Sequence, residues 1–82
     1  MNITVIRRLA ETFDESSLLR AEADILDGNE PLIEVPGDDE GDKLTHVIGA
    51  LWVTQRISST GSDTIQALRE YARKIRTSIT SS

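Results

Sequence analysis

The sequence predicts an all-α protein, a compact bundle of about four short helices with one extended Pro/Gly loop over residues 28–43. Two observations predict this class. The apolar run Val47–Val53 lies in a segment that continues through Ile57, long enough for a helix. After a Ser/Thr/Gly turn, the last segment repeats apolar residues at spacings of three and four. We expect a single domain over residues 1–79 and a frayed tail at 80–82.

Apolar spacing and capping residues predict the first two helices. The first is predicted over 3–13, although the β-branched residues at 3–6 leave a short strand as an alternative. The second is predicted over 15–27, between the N-cap Asp14 and Gly28, which supplies a left-handed conformation at the end. The apolar residues of the second helix that we expect to be buried are Leu18, Leu19, Ala21, Ile25 and Leu26.

The extended loop contains two prolines, which break helical hydrogen bonding. Its apolar residues 32–35 are expected to lie on the core, with a short strand there as an alternative. The third helix is predicted to start near 38–42 and to end near Ser58. Its middle is apolar on nearly every side, as expected for the helix that packs against all the others. The small residues Gly49 and Ala50 would allow another backbone to approach closely.

The fourth helix follows a Ser/Thr/Gly stop, with Ser62 or Asp63 as its N-cap. Its apolar residues form a heptad-like seam, which suits bundle packing or a helix–helix interface and extends to Ile79. Trp52 and Tyr71 are of types enriched at interface hot spots and complete the predicted surface, with core packing as the equal alternative for Trp52 inside its apolar run. The candidate interface residues are Trp52, Ile65, Leu68, Tyr71, Ala72 and Ile75. The candidate basic face of the same helix consists of Arg69, Arg73, Lys74 and Arg76.

The net charge of −5 is unevenly distributed along the chain. Residues 1–55 carry four basic and twelve acidic side chains, whereas residues 56–82 carry five basic and two acidic ones. Such a split can simply keep a small protein soluble, and it also suits a self-complementary dimer. A chain of 82 residues without cysteine has a marginal core as a monomer. We therefore expect a homodimer.

The length of the longest apolar run and the composition of the first residues predict where in the cell the protein is found. The longest uninterrupted apolar run has seven residues, far short of the roughly 20 needed to span a bilayer. The first residues lack the charged and then apolar pattern of a signal peptide. We therefore expect a cytoplasmic protein with no membrane partner.

The sequence contains no arrangement typical of an active, cofactor or metal site. Acids alternate at 38–42 as in a calcium loop, but Lys43 and Gly49 stand where that loop needs glycine and glutamate. Carboxylate pairs three residues apart imitate those of Mg²⁺-dependent nucleotide hydrolases, without a basic substrate clamp. His46 has no cysteine partner for zinc, and we expect it to be a polar residue at the end of a buried helix. We predict no catalytic residue, no cofactor and no metal.

Nucleic-acid binding is the main alternative. The turn at 59–62 superficially resembles that of a helix–turn–helix unit, and the candidate basic face could contact phosphates. Aligned on Gly61, however, Arg56 and Glu70 fall where that motif needs buried apolar side chains. The acidic net charge also opposes nucleic-acid binding.

The sequence resembles small helical bacterial proteins classed as a domain of unknown function. The matching segments are Asp42–Leu51 and, after a glycine turn, Asp63–Ile75. The resemblance covers about residues 1–79. It implies a compact helical domain and carries no known active site. The sequence thus predicts a self-associating interaction or regulatory module with an unidentified protein partner, and not an enzyme. A nucleic-acid-associated regulator is the second interpretation, and a metal-dependent nucleotide-processing enzyme is the third.

Overall fold

The computed structural model describes residues 2–80, and the side chains of residues 2–76. Within these residues it contains four helices, which are α1 (Ile3–Thr12), α2 (Glu15–Leu26), α3 (Glu40–Thr60) and α4 (Thr64–Thr80). The all-α prediction is confirmed, since residues 3–6 are helical and residues 32–35 are a loop. The Ile79 side chain and the last two residues of the expected frayed tail, Ser81 and Ser82, lie outside the described part.

The residue immediately before each helix is an asparagine or an aspartate, which acts as its N-cap. A side-chain oxygen of this residue accepts a hydrogen bond of 2.8–2.9 Å from a backbone N–H in the first turn. Such caps satisfy donors that have no partner inside the helix. The capping residues are Asn2, Asp14, Asp39 and Asp63. The extended loop therefore ends at Asp39 rather than at Lys43, because Asp39 caps α3 and the clustered acids after it belong to the first turn.

Two glycines end helices as the sequence predicts. Gly28 and Gly61 have φ angles of 79° and 71°, in the left-handed region that glycine adopts without a Cβ penalty. After α2, the N–H groups of Gly28 and Asn29 donate to the carbonyls of Ile25 and Asp24. This is the hydrogen-bond pattern of a Schellman motif.

Helix α3 is the centre of the fold. It packs against α1, α2 and α4, and α1 also packs against α4. The Cα atoms extend 18 Å along the shortest axis, which corresponds to two layers of helices. The largest fully buried side chains are Ile6, Leu9, Leu18, Val47 and Val53. The expectation that the apolar middle of the third helix contacts all the others is confirmed.

Two side chains of α2 that were expected in the core are not there. Leu18, Ala21 and Ile25 are buried, but Leu19 is 45% exposed and Leu26 is 65% exposed. Residues 18, 21 and 25 follow one helix face, and that face lies against α3. Because Leu19 and Leu26 are rotated by about 100° from their buried neighbours, they lie on the flank of the helix, in contact with solvent.

Candidate interaction surface

An apolar groove of about 300 Å³ runs between α1 and α4. Its walls come from two segments distant in sequence, brought together because both helices pack on α3. The apolar lining consists of Ile3 from α1 and Ile65, Leu68 and Ala72 from α4. Arg7 on α1 and Arg69 on α4 place one guanidinium on each wall, and Thr4 completes the lining. The groove therefore combines an apolar floor with two arginines on its rim, of which Arg7 pairs with Glu11 at 3.4 Å.

The structure divides the six candidate interface residues between the core and the surface. Leu68 and Tyr71 belong to the buried core, whereas Trp52, Ala72 and Ile75 are half-buried. Ile65 is 40% exposed. Three of the six, Ile65, Leu68 and Ala72, line the α1–α4 groove. The three residues of the groove that sequence reasoning missed on α1 are Ile3, Thr4 and Arg7. They carry no local signal, because only the tertiary packing places them beside α4.

Trp52 and Tyr71 form an aromatic pair between α3 and α4. Their ring centroids lie 5.5 Å apart and the ring planes are tilted by 41°. This centroid separation is in the range that interacting aromatic pairs prefer. Burial raises the pKa of the Tyr71 hydroxyl. The Tyr71 ring packs beside Gly49, where a Cβ atom would lie 2.7 Å from Ile6 Cδ1 and 3.0 Å from Tyr71 Cε2. The close approach expected at Gly49 thus exists, and side chains rather than a backbone make it.

An ion pair joins α3 to α4 beside the aromatic pair. Arg56 Nε donates to Glu70 Oε2 at 2.7 Å, and the Arg56 guanidinium lies 6.0 Å from the centroid of Trp52. The hydrogen bond to Glu70 and its charge raise the pKa of Arg56. The hydrogen bond from Arg56 lowers the pKa of Glu70. Arg56 and Glu70, which occupy positions where a helix–turn–helix unit needs buried apolar side chains, therefore form an ion pair across the α3–α4 turn.

We expect Glu70→Gln to weaken the acid dependence of stability. Because the pKa of Glu70 is lowered from 4.5 in the folded state, its contribution is present above this value and is lost as pH falls through the folded pKa. Urea unfolding midpoints measured between about pH 3 and pH 7 should therefore fall less steeply for the variant. In an Arg56→Gln background, Glu70→Gln should have a much smaller effect, because only the charge of Arg73 then still lowers the pKa of Glu70. A wild-type slope in the single variant would contradict this assignment.

The candidate basic face is exposed along α4. Arg69, Arg73, Lys74 and Arg76 all have exposed side chains. Arg69 differs from the other three because it also lines the apolar groove. The heptad-like seam and the candidate basic face therefore adjoin at Arg69.

His46 is buried and holds the start of α1 and the end of the extended loop against α3. Its Nε2 atom accepts a hydrogen bond from the Asn2 backbone N–H at 3.0 Å. The ring proton therefore lies on Nδ1, which donates to the Pro36 carbonyl oxygen at 2.8 Å. Both ring nitrogens are engaged in the fold. His46 is thus a buried polar residue as expected, but it lies in the second turn of α3 rather than at the end of the helix.

A cavity of about 580 Å³ adjoins His46 and is lined by Asp38, Asp39 and Asp42 among others. Two of these carboxylates bond to backbone. Asp39 Oδ1 accepts from the Asp42 N–H at 2.8 Å, and Asp42 Oδ2 accepts from the Asp38 N–H at 3.1 Å. The latter bond lowers the pKa of Asp42. In the part of the chain that the structure describes, no three His, Asp or Glu side chains converge as metal ligands. The acidic cluster thus organises the first turn of α3.

None of the helices in the described part has both the length and the apolar composition needed to cross a bilayer.

Comparison with known proteins places the chain in a family. No curated protein and no solved structure matches the chain. A family model described as a family of unknown function (DUF6952) matches residues 1–80. This match spans almost the whole sequence, and the chain therefore belongs to the DUF6952 family.

Proposed function

We propose that this protein is a self-associating interaction module whose docking surface is the α1–α4 groove. The observation that carries the proposal is the groove itself, an apolar floor with half-exposed isoleucines and an arginine on each wall. Apolar grooves of this kind are typical binding sites for amphipathic helices. A regulatory role would follow from competition between self-association and binding of another protein.

The small size of the chain supports self-association. A domain of 82 residues without disulfides buries a modest fraction of its unfolded surface. Covering Ile3 and Ile65 with a partner would add apolar burial at about 25 cal/mol per Å². The stability of the folded chain would then depend on protein concentration.

Sedimentation equilibrium at micromolar concentrations tests the proposal. We expect a weight-average mass above the 9.1 kDa of the chain, and we expect Ile65→Gln to weaken association by about tenfold, which is 1.4 kcal/mol. Ile48→Gln is the matched control, because Ile48 is 44% exposed on α3 and does not line the groove. A monomeric wild-type protein, or equal effects of the two variants, would refute the proposal.

A second candidate function is nucleic-acid binding through the basic face. The exposed side chains of Arg69, Arg73, Lys74 and Arg76 support it, whereas the net charge of −5 opposes it. A gel shift of random DNA that reversal of the charges at 69, 73 and 76 abolishes would favour this function. Because Arg69 also lines the groove, reversal of the charges at 73, 74 and 76 alone, which leaves the groove lining in place, separates the two functions.

A further inference from the structure

Helix α2 exposes an apolar ridge with acidic residues on the same face. Leu19 and Leu26 are 45% and 65% exposed, although both are large apolar side chains. They are seven residues apart, so they project from the same side of the helix. Glu22 lies between them at spacings of three and four, and Glu15 precedes Leu19 by four. We refer to Leu19, Glu22 and Leu26 as the α2 ridge.

The α2 ridge and the groove have opposite charges. Helix α2 contains three acidic residues and one basic residue, Arg20. Arg20 lies 3.8 Å from Asp24 in an i,i+4 ion pair, away from the ridge. Helix α4 contains four basic residues and one acidic residue, Glu70, which pairs with Arg56. The residue of minority charge is therefore ion-paired in each helix, and α2 keeps an excess of acidic residues while α4 keeps an excess of basic ones.

The ridge and the groove also match in spacing. Along α4 the groove residues Ile65, Arg69 and Ala72 are separated by four and three positions. Along α2 the ridge residues are separated by three and four positions. In both cases the span is seven residues, about 10.5 Å at the rise of an α-helix. The two patterns coincide when the helices run antiparallel. Glu22 then lies opposite Arg69, Leu26 lies opposite Ile65, and Leu19 lies opposite Ala72.

We propose that the occupant of the groove is α2 of a second copy of this chain, docked antiparallel to α4 with Glu22 beside Arg69. This inference rests on the self-association proposed above and names the partner segment. It also accounts for the acidic first two-thirds and basic last third of the sequence, since the interface joins one to the other. An amphipathic helix in a groove buries its i and i+7 anchors, here Leu19 and Leu26.

A charge-swap experiment tests the pairing by sedimentation equilibrium. Glu22→Arg and Arg69→Glu should each weaken association by about tenfold or more, because each places like charges opposite one another. An equimolar mixture of the two variants should regain wild-type association, because the arginine introduced on α2 of one copy then meets the glutamate introduced on α4 of the other. Glu34→Arg, with the same change of charge at an exposed loop position, should have no comparable effect.

A parallel pair of variants tests the apolar anchors. Leu26→Gln should weaken association by about tenfold, whereas Leu32→Gln should not, although Leu32 is 81% exposed. Circular dichroism of every variant should show unchanged helicity, because all the substituted side chains have solvent contact. If Ile65→Gln weakens association while the Glu22 and Leu26 variants do not, the groove is the docking surface and its occupant is another segment. If Ile65→Gln also has no effect, both proposals fall.

Discussion

Leu18→Ala is expected to lower the free energy of unfolding by about 2–5 kcal/mol, the usual cost of removing a buried leucine and leaving a cavity. Leu18 is fully buried where α2 packs on α3. A typical domain of this length has a total stability of only about 4–12 kcal/mol. The substitution should therefore remove a large share of it. Urea unfolding followed by circular dichroism measures the loss.

Leu32→Ala is the matched control, because it deletes the same atoms from a side chain that is 81% exposed. We expect it to change the free energy of unfolding by no more than about 0.5 kcal/mol. Both variants should be compared at one protein concentration, since self-association adds to stability by mass action. Similar losses in the two variants would show that α2 does not use Leu18 as its core contact.

The helix boundaries were accessible from sequence because their signals are local. Asp14 caps α2 and Gly28 ends it as predicted, and Gly61 ends α3. A side-chain oxygen that accepts a first-turn N–H, or a glycine with positive φ, acts within a few residues of its own position. The length of α3 and its central place followed from an apolar run that no surface helix would carry.

The orientation of α2 was not accessible in the same way. Leu18 and Leu19 are equally apolar neighbours, as are Ile25 and Leu26, so the pattern alone permits either flank to face the core. The structure buries Leu18 and Ile25 because their face meets α3. A rotation of the helix by about 100° would exchange them with Leu19 and Leu26. Only the tertiary contacts decide between these two arrangements.

The candidate interaction surface was half predictable. Ile65 and Ala72 were identified because their spacing on α4 is regular. Ile3 and Arg7 were not, because they join the groove only when α1 lies beside α4 on the surface of α3. The assignment of Arg69 to the basic face missed its second role in the groove wall. Its position is ambiguous on a helix, since residue 69 lies next to 65 and 72 on one side and 73 on the other.

The close packing around Gly49 predicts that a larger side chain at this position destabilises the fold. We expect Gly49→Ala to lower the free energy of unfolding by about 1–2 kcal/mol, although alanine favours a helix over glycine by about 1 kcal/mol. The added Cβ would lie 2.7 Å from Ile6 Cδ1 and 3.1 Å from the Tyr71 hydroxyl oxygen. Both side chains are buried, so neither can move without disturbing the contacts among α1, α3 and α4.

Gly41→Ala gives the same substitution without the crowding, because the nearest atom to its added Cβ is Asp39 Oδ1 at 3.4 Å. Since Gly41 lies in the first turn of α3, we expect this variant to gain up to about 1 kcal/mol. Thermal unfolding should therefore shift in opposite directions for the two alanine variants. Displacement of the Tyr71 ring should also alter the fluorescence of Trp52, whose ring centroid lies 5.5 Å away. If both variants are stabilised and the Trp52 signal is unchanged, α1 and α4 do not converge on Gly49, and the groove between them is not formed as described.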